Sequence, residues 1–422
     1  MHVYFLFFSV LVTLLSPLSL VAKLTLEECQ TIALENGEKK TIADLQALIA
    51  YDRIDEARSS GRPKLNIYGD YMTSGETKHW RHNTRNRHVK VSLVIPICNF
   101  GLTKEAVKSQ KNLYQSSLHS LDQIKQDILH AVSEAYFELL IFQKLEWIVE
   151  ESIRSLHRQI EVTQDFLNQG LIHRNEALLF EVQLAQLQQN FMEAKLNTKL
   201  ATERLNRLMN KNLDTLIEIE DILTFTNQEI CLDNLIEAAK LNHPQLLALS
   251  AQIQAVKHGY CSEKATLYPN LYAFSNYSNT SDYTLPYRQG LDAGIAIDLS
   301  LYDGGYTYAK LRRIKKELSQ LEWRYRELEK DIELNIRSSF LAIQTALGKI
   351  PVAQTGVTLA EENLAITQNL FEEGLVTNLD VVHDHENLLE ARVSYFKTLY
   401  TYHKSRANLI HSAGMMHKKG YL

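Results

Sequence analysis

From Leu102 to Asn168, and again from Ala309 to Glu372, apolar residues return every three to four positions with almost no breaker among them. That period marks an amphipathic α-helix. At 1.5 Å per residue each run makes a helix roughly 100 Å long, well beyond the usual globular length. Ile153, Ile160 and Leu167 repeat at seven, as do Ile350, Val357, Leu364 and Phe371, with Val149, Leu156, Thr163 and Ala353, Ala360, Thr367 between them. A sustained seven-residue apolar repeat predicts a coiled-coil seam. Gly348 and Pro351 occur in the second run only, and a proline inside a helix predicts a kink or a break there.

Shorter patterns precede each long helix. Helical periodicity covers Leu24 to Asn36 and Ile42 to Arg58, then Leu232 to Asn242 and Gln245 to Lys264. Two strand-like runs follow each pair. Leu291, Ala293, Ile295, Ile297, Leu299 and Leu301 alternate with Asp292, Gly294, Ala296, Asp298 and Ser300, and Val89, Val91, Leu93 and Ile95 alternate in the same way. Their partners, Lys64 to Met72 and Asn270 to Tyr277, carry the aromatics Tyr68, Tyr71, Tyr272, Phe274 and Tyr277. Period-two alternation over about 9 to 11 residues fits a half-buried soluble strand or a bilayer-spanning one.

The chain repeats itself. TQDFLNQGLIHRNEALLFE from Thr163 lies over TQNLFEEGLVTNLDVVHDH from Thr367, so that Gly170 and Leu171 fall on Gly374 and Leu375 at an offset of 204 (374 less 170). Asn99-Phe100-Gly101 falls on Asp303-Gly304-Gly305 at the same offset, whereas upstream Leu26, Ala33, Asn36 and Pro63 fall on Leu232, Ala239, Asn242 and Pro269 at 206. The two-residue difference is expected between Pro63 and Gly101, in the connection of two strands, where insertions are tolerated. In both copies the Gly-Leu pair interrupts a long helical pattern, with an acid six residues later: Glu176, then Asp380. We read residues 23–228 and 229–414 as two repeats, each of short helices, two strands and a long helical hairpin, with 415–422 as a C-terminal tail.

Composition narrows the class. With 422 residues, 45% of them hydrophobic, the chain can bury a sizeable core, and a net charge of -5 gives no basic field for nucleic acid. Val3 to Ala22 is apolar, lacks Lys and Arg, and ends in small residues before Lys23. Residues 1–22 therefore read as a secretory signal peptide, the alternative being a single N-terminal membrane anchor. Cys29, Cys98, Cys231 and Cys261 have no metal-ligand spacing. Buried free thiols are expected, with a Cys29–Cys231 disulfide as the alternative.

Several local patterns carry little chemistry. His79 to His88, HWRHNTRNRH, reads as an exposed loop joining the first two strands. In His383-Asp384-His385-Glu386 the two histidines are two apart and point to different helix faces, unlike HExxH. Gly304-Gly305 lacks a P-loop lysine and reads as a turn. No nucleophile, base and orienting acid stand at a recognisable spacing, so no enzyme, metal or cofactor is expected.

The ALEN and AKLN openings at Ala33 to Asn36 and Ala239 to Asn242, Ala57-Arg58 before Pro63, the strand ends PICNFG and SLYDGG, and EEGLVTNLDVV from Glu372 to Val382 occur in the order and spacing of a known family. The chain resembles the outer membrane efflux proteins, the TolC family. The resemblance implies an α+β membrane protein: a homotrimer whose four strands per chain close a 12-stranded outer-membrane β-barrel, continued by a long periplasmic α-helical coiled-coil barrel. It implies an exit duct for a tripartite efflux pump or a type I secretion system. The partners would be a periplasmic adaptor (membrane fusion) protein, an inner-membrane pump of ABC, RND or MFS type, and outer-membrane lipid. The competing expectation is an exported soluble or peripheral coiled-coil scaffold.

The resemblance also assigns candidate residues. Gly170-Leu171 and Gly374-Leu375 would be the periplasmic tips that meet the adaptor, although Gln169 and Glu373 stand where the family often has a small apolar residue. Asp380 would line the periplasmic constriction, with Glu176 at the matching place in the first copy. Where the family often has a second acid this chain has His383, followed by Asp384, and the spacing puts 380, 383 and 384 on one helix face. Acidification is then expected to add positive charge at a ring of His383 side chains.

Overall fold

The computed structural model describes residues 23–74, 84–223, 231–281 and 288–416. The first repeat contains α1 (Leu26–Asn36), α2 (Glu38–Ser59), β1 (Lys64–Ser74), β2 (Thr84–Cys98), α3 (Leu102–Asn168) and α4 (Arg174–Leu208). The second contains α5 (Leu232–Asn242), α6 (Pro244–Ala265), β3 (Asn270–Ser281), β4 (Arg288–Asp298), α7 (Tyr306–Glu372) and α8 (Asn378–Ser412). Both ends of α3 and α4 map onto α7 and α8 at 204 (306 less 102), and both ends of α1 and α2 map onto α5 and α6 at 206 (232 less 26). The pair Lys64↔Val94 of the first hairpin maps onto Asn270↔Asp298 of the second, at 206 on one strand and 204 on the other. The two-residue difference therefore falls in the strand connection, as expected.

The chain divides into two compact units. One comprises Lys39–Ile124 and Leu235–Leu334 and holds an antiparallel sheet in the order β1-β2-β3-β4. Side chains alternate between the faces of a strand while paired residues share a face, so the register sorts the sheet. Leu65, Ile67 and Tyr71 lie on one face with Val89, Val91, Leu93, Ile95, Tyr277, Leu291, Ile295 and Ile297. The other face carries Asn66, Asp70, His88, Lys90, Ser92, Asn276, Ser278 and Asp292, with His88 Nδ1 3.2 Å from Asp70 Oδ1. Among the described residues, β1 and β4 each have a hydrogen-bonded neighbour on one side only.

The strand ends correct two expectations. β2 begins at Thr84, so the segment from His79 to His88 is not all loop, and residues 75–83 lie outside the described residues. β4 ends at Asp298 rather than Leu301. Each strand then gives way to a helix through a left-handed turn. Gly304 and Gly305 have φ of 72° and 86°, and Asp303 accepts hydrogen bonds from the backbone of Gly305 (3.0 Å) and Thr307 (2.8 Å). In the first repeat Phe100 and Gly101 take φ of 48° and 95°. Across the same unit α6 packs on α3: Ser109 Oγ donates to Ala255 O at 2.8 Å, and His258 Nδ1 lies 2.6 Å from Glu105 Oε2.

The second unit comprises the described residues of Met1–Glu38, Lys125–Asn234 and Asn335–Leu422. Here α3 packs along α8. Phe137 stacks on His403 with ring centroids 5.0 Å apart, His130 lies 4.5 Å from His411, and Lys404 Nζ reaches Glu134 at 2.6 Å. A capping box between Thr25 and Glu28 starts α1, and the residue before it, Leu24, bridges to Ile219. The buried Tyr136 hydroxyl donates to Leu24 O and Glu220 O.

Pro351 lies inside α7, which runs unbroken through it. It sits on the exposed side, where solvent can take the carbonyl it leaves unpaired, while Ile343, Ala346 and Ile350 are buried in the core. All four cysteines are free, and only Cys29 is buried, its thiol pushed up to about 11 by that burial. The expectation of buried thiols fails for Cys98, Cys231 and Cys261, which lie at strand or helix ends or on an open helix side. Residues 1–22 and 417–422 lie outside the described residues, and with them the signal peptide and most of the tail. No described helix is long and apolar enough to cross a membrane.

Candidate functional site

The two helical hairpins turn at the predicted Gly-Leu pairs. Gly170 and Gly374 both have φ of 74°, a left-handed conformation that glycine adopts without a Cβ penalty. Leu171 N donates to Phe166 O and Gly170 N to Leu167 O; Leu375 N donates to Leu370 O and Gly374 N to Phe371 O. This pair of bonds, six-to-one and five-to-two, is a Schellman ending that satisfies the last helix carbonyls. The leucine that follows points away from the protein in both copies, 66% exposed at Leu171 and 68% at Leu375. Backbone closure explains the glycine. It does not explain an apolar side chain held in solvent.

Behind the turns the hairpins pack on each other. Leu156, Phe180, Leu187, Leu364, Phe371, Val381 and Val382 form a buried cluster, and Phe166 meets Phe371 at 5.5 Å between ring centroids. This is where the heptad seams of α3 and α7 lead.

The second turn starts α8 with Thr377 as N-cap. Its hydroxyl accepts from Asp380 N, and Asp380 Oδ2 accepts from Thr377 N (2.9 Å) and Thr377 Oγ1 (2.6 Å). Asp380 is thus the acid of a capping box, and the hydrogen bonds from Thr377 hold its carboxyl below the usual range. Its side chain is exposed, as is that of His383 one turn on. The first copy differs: His173 occupies the cap without a side-chain bond, and Glu176 is partly exposed beyond it. The spacing Thr377-x-x-Asp380 is itself a capping signature, a signal that the sequence reading passed over.

Asp384 departs from the shared face expected for 380, 383 and 384. It is buried, and accepts a hydrogen bond from Thr367 Oγ1 of α7 at 2.6 Å and a longer one from Asn387 Nδ2 at 3.4 Å. The hairpin core takes up that side of α8, and only Asp380 and His383 stay in solvent. Phe180 occupies the equivalent place in the first hairpin. His385 is buried beside Asp384 and within 3.4 Å of Gln368 Nε2. Burial drives its pKa down to about 4, with Asp384 opposing and Arg158 adding to the shift. The two histidines of the motif do face opposite ways. Among the described residues no group of three or more His, Cys, Asp or Glu is placed to hold a metal.

Comparison with known proteins places this architecture. The family model for outer membrane efflux protein matches residues 40–211 and 235–415, one match per repeat. A curated relative, outer membrane efflux protein BepC of Brucella suis, is 19% identical over 412 residues, spanning 96% of this chain and 89% of the relative. The fold matches the CusC channel with a TM-score of 0.81 at 15% identity, over 93% of this chain and 92% of that one. It matches the CmeC outer membrane channel of Campylobacter jejuni with the same score and identity, over 92% and 85%. Both of these solved structures are of membrane channels. By the family match across both repeats, this chain belongs to the outer membrane efflux protein family.

Proposed function

We propose that the chain is one third of a passive exit duct in the outer membrane of a Gram-negative bacterium, a homotrimer coupled through a periplasmic adaptor to an inner-membrane pump. The observation that carries this reading is the sheet, apolar on one face, polar on the other, with both edge strands half-paired. Unpaired backbone groups are not tolerated in lipid, so a spanning sheet must close on itself. Three copies supply twelve strands, turning the Leu65, Ile67, Leu291 and Ile295 face to lipid and the Asp70, His88 and Lys90 face to a wet lumen. The long hairpins then reach into the periplasm, where Leu171 and Leu375 offer apolar knobs to the adaptor. The exposed Asp380 and His383, with Glu176, line the constriction. Asp384 ties α8 to α7 instead. A tripartite pump and a type I exporter are both served by such a duct.

The test is made on the full chain purified in mild detergent. It should have three times the protomer mass and form cation-selective pores in planar bilayers. Asp380→Asn should lose that selectivity, while Thr377→Val, which disturbs the cap but keeps the carboxylate, should retain it. A monomer stable without detergent overturns the duct. Trimeric pores indifferent to Asp380→Asn overturn the constriction alone.

A further inference from the structure

We infer that the outer end of the apolar sheet face is a binding site for a phosphorylated glycolipid headgroup, with Arg87 as its anchor and Arg85 beyond it on β2. The inference rests on the barrel proposed above, in which this face meets lipid and the end of the sheet away from the helices points outward. Tyr71, Arg87 and Ser281 form one row of the face across β1, β2 and β3. Arg85, opposite Thr73, stands one row further out.

Charge singles out that end. Among the described residues, Arg85 and Arg87 are the only charged positions on the apolar face, and no carboxylate accompanies them. The acids of the sheet, Asp70, Asp292 and Asp298, all belong to the opposite face, where they are mixed with His88, Lys90 and Arg288. At the helix end the apolar face stops at Leu65, Ile95 and Ile297, without a charge. Nor does the duplicated fold require the two arginines. At the offset of 204 their places on β4 are taken by Gln289 and Leu291.

Depth and chemistry agree with the charge. Arg87 stands eight residues (95 less 87) along β2 from Ile95, which at about 3.4 Å per residue and a tilt of about 40° is a rise of roughly 20 Å. That is close to the rim of an apolar band about 25 Å tall, where a cation on the lipid face costs little and headgroup phosphates lie. Arg87 is exposed, and its Cζ is 5.9 Å from the centre of the Tyr71 ring. A cation–π contact of this kind uses no N–H donor. The guanidinium therefore keeps its planar fork for an acceptor outside the protein, and the fork suits the paired oxygens of a phosphate. Thr73, Asn279, Ser281 and Gln289 share this end of the face and offer neutral partners to sugar hydroxyls. Exposed Ile67, Val89 and Leu291 in the rows below meet acyl chains. Phosphate, sugar and acyl chain together describe a phosphorylated glycolipid of the outer leaflet.

The test uses the full chain purified in mild detergent and placed in phosphatidylcholine nanodiscs. The probe is bisphosphorylated lipid A, compared with its dephosphorylated form, phosphatidylglycerol and inorganic phosphate. Pore-forming trimers should retain lipid A about tenfold more tightly than either comparison lipid, and excess inorganic phosphate should not displace it. Arg85→Ala with Arg87→Ala should remove that preference, while Arg288→Ala, which deletes the same charge from the other face, should keep it. Should the double variant fail to form trimers, Arg87→Gln alone should lose most of the preference. Equal retention of phosphorylated and dephosphorylated lipid A, or a preference that survives loss of the arginines, overturns the site and leaves the duct standing. Equal retention of phosphatidylglycerol overturns the glycolipid, and displacement by inorganic phosphate overturns a lipid ligand in favour of a free anion. Loss in Arg288→Ala alone reverses the two faces of the sheet. Monomers without pores overturn the duct itself.

Discussion

At the residue scale the second hairpin holds a buried carboxylate that the first lacks. Asp384 and Phe180 occupy matching places beside the tips, yet one is a carboxylate held by Thr367 and the other is core. Removing the Thr367 hydroxyl would leave Asp384 buried with only the long bond from Asn387, an imbalance that costs about 1 to 3 kcal/mol. Thr367→Val should therefore lower amide-exchange protection over residues 367–388, while Thr367→Val with Asp384→Leu should restore it, because both polar partners are then gone. Equal protection in wild type and Thr367→Val would mean that the bond contributes nothing. His385 adds a pH term. Its folded pKa, about 4, lies below the ordinary histidine value of 6.5, so the unfolded hairpin binds the proton more readily. The contribution is full above about pH 6.5 and is lost as pH falls toward 4, by roughly 3 kcal/mol in total. Exchange protection at the second tip should fall across that window, and His385→Leu should remove the slope.

At the element scale the hairpin tips combine two functions in adjacent residues. Glycine ends the helix, and leucine is exposed. Leu171→Asp with Leu375→Asp leaves every tip hydrogen bond in place, since both leucines contribute only backbone groups to the turn. The double variant should abolish transport and adaptor crosslinking while trimer abundance in the membrane stays unchanged; normal transport would remove the tips from docking. The elements themselves were legible in the sequence. α3 starts and stops at the residues that the periodicity marks, and both tips fall on the Gly-Leu pairs, because these features are set by local backbone chemistry. Pro351 leaves α7 unbroken, because its effect depends on which side of the helix it occupies. The burial of Asp384 was hidden for a related reason: helical spacing places 380, 383 and 384 together, and only the packing of α7 against α8 separates them. β4 stops short of its pattern because a strand persists where a partner pairs with it, a property of two segments.

At the scale of the whole molecule, the duplication does more than record a gene's history. It provides the strand contact between the two repeats with an outward counterpart, so the same pairing that joins the repeats is available to join one chain to the next. The sheet shows this most plainly: β2·β3 is closed, and β1 and β4 are its unclosed equivalents. Neither edge strand can be completed by the chain that carries it. In a cell making equal amounts of sound and edge-defective chains, roughly one closed ring in eight would contain sound chains alone. Damage to β1 or β4 should therefore behave as a dominant trait, silencing the good allele along with the bad.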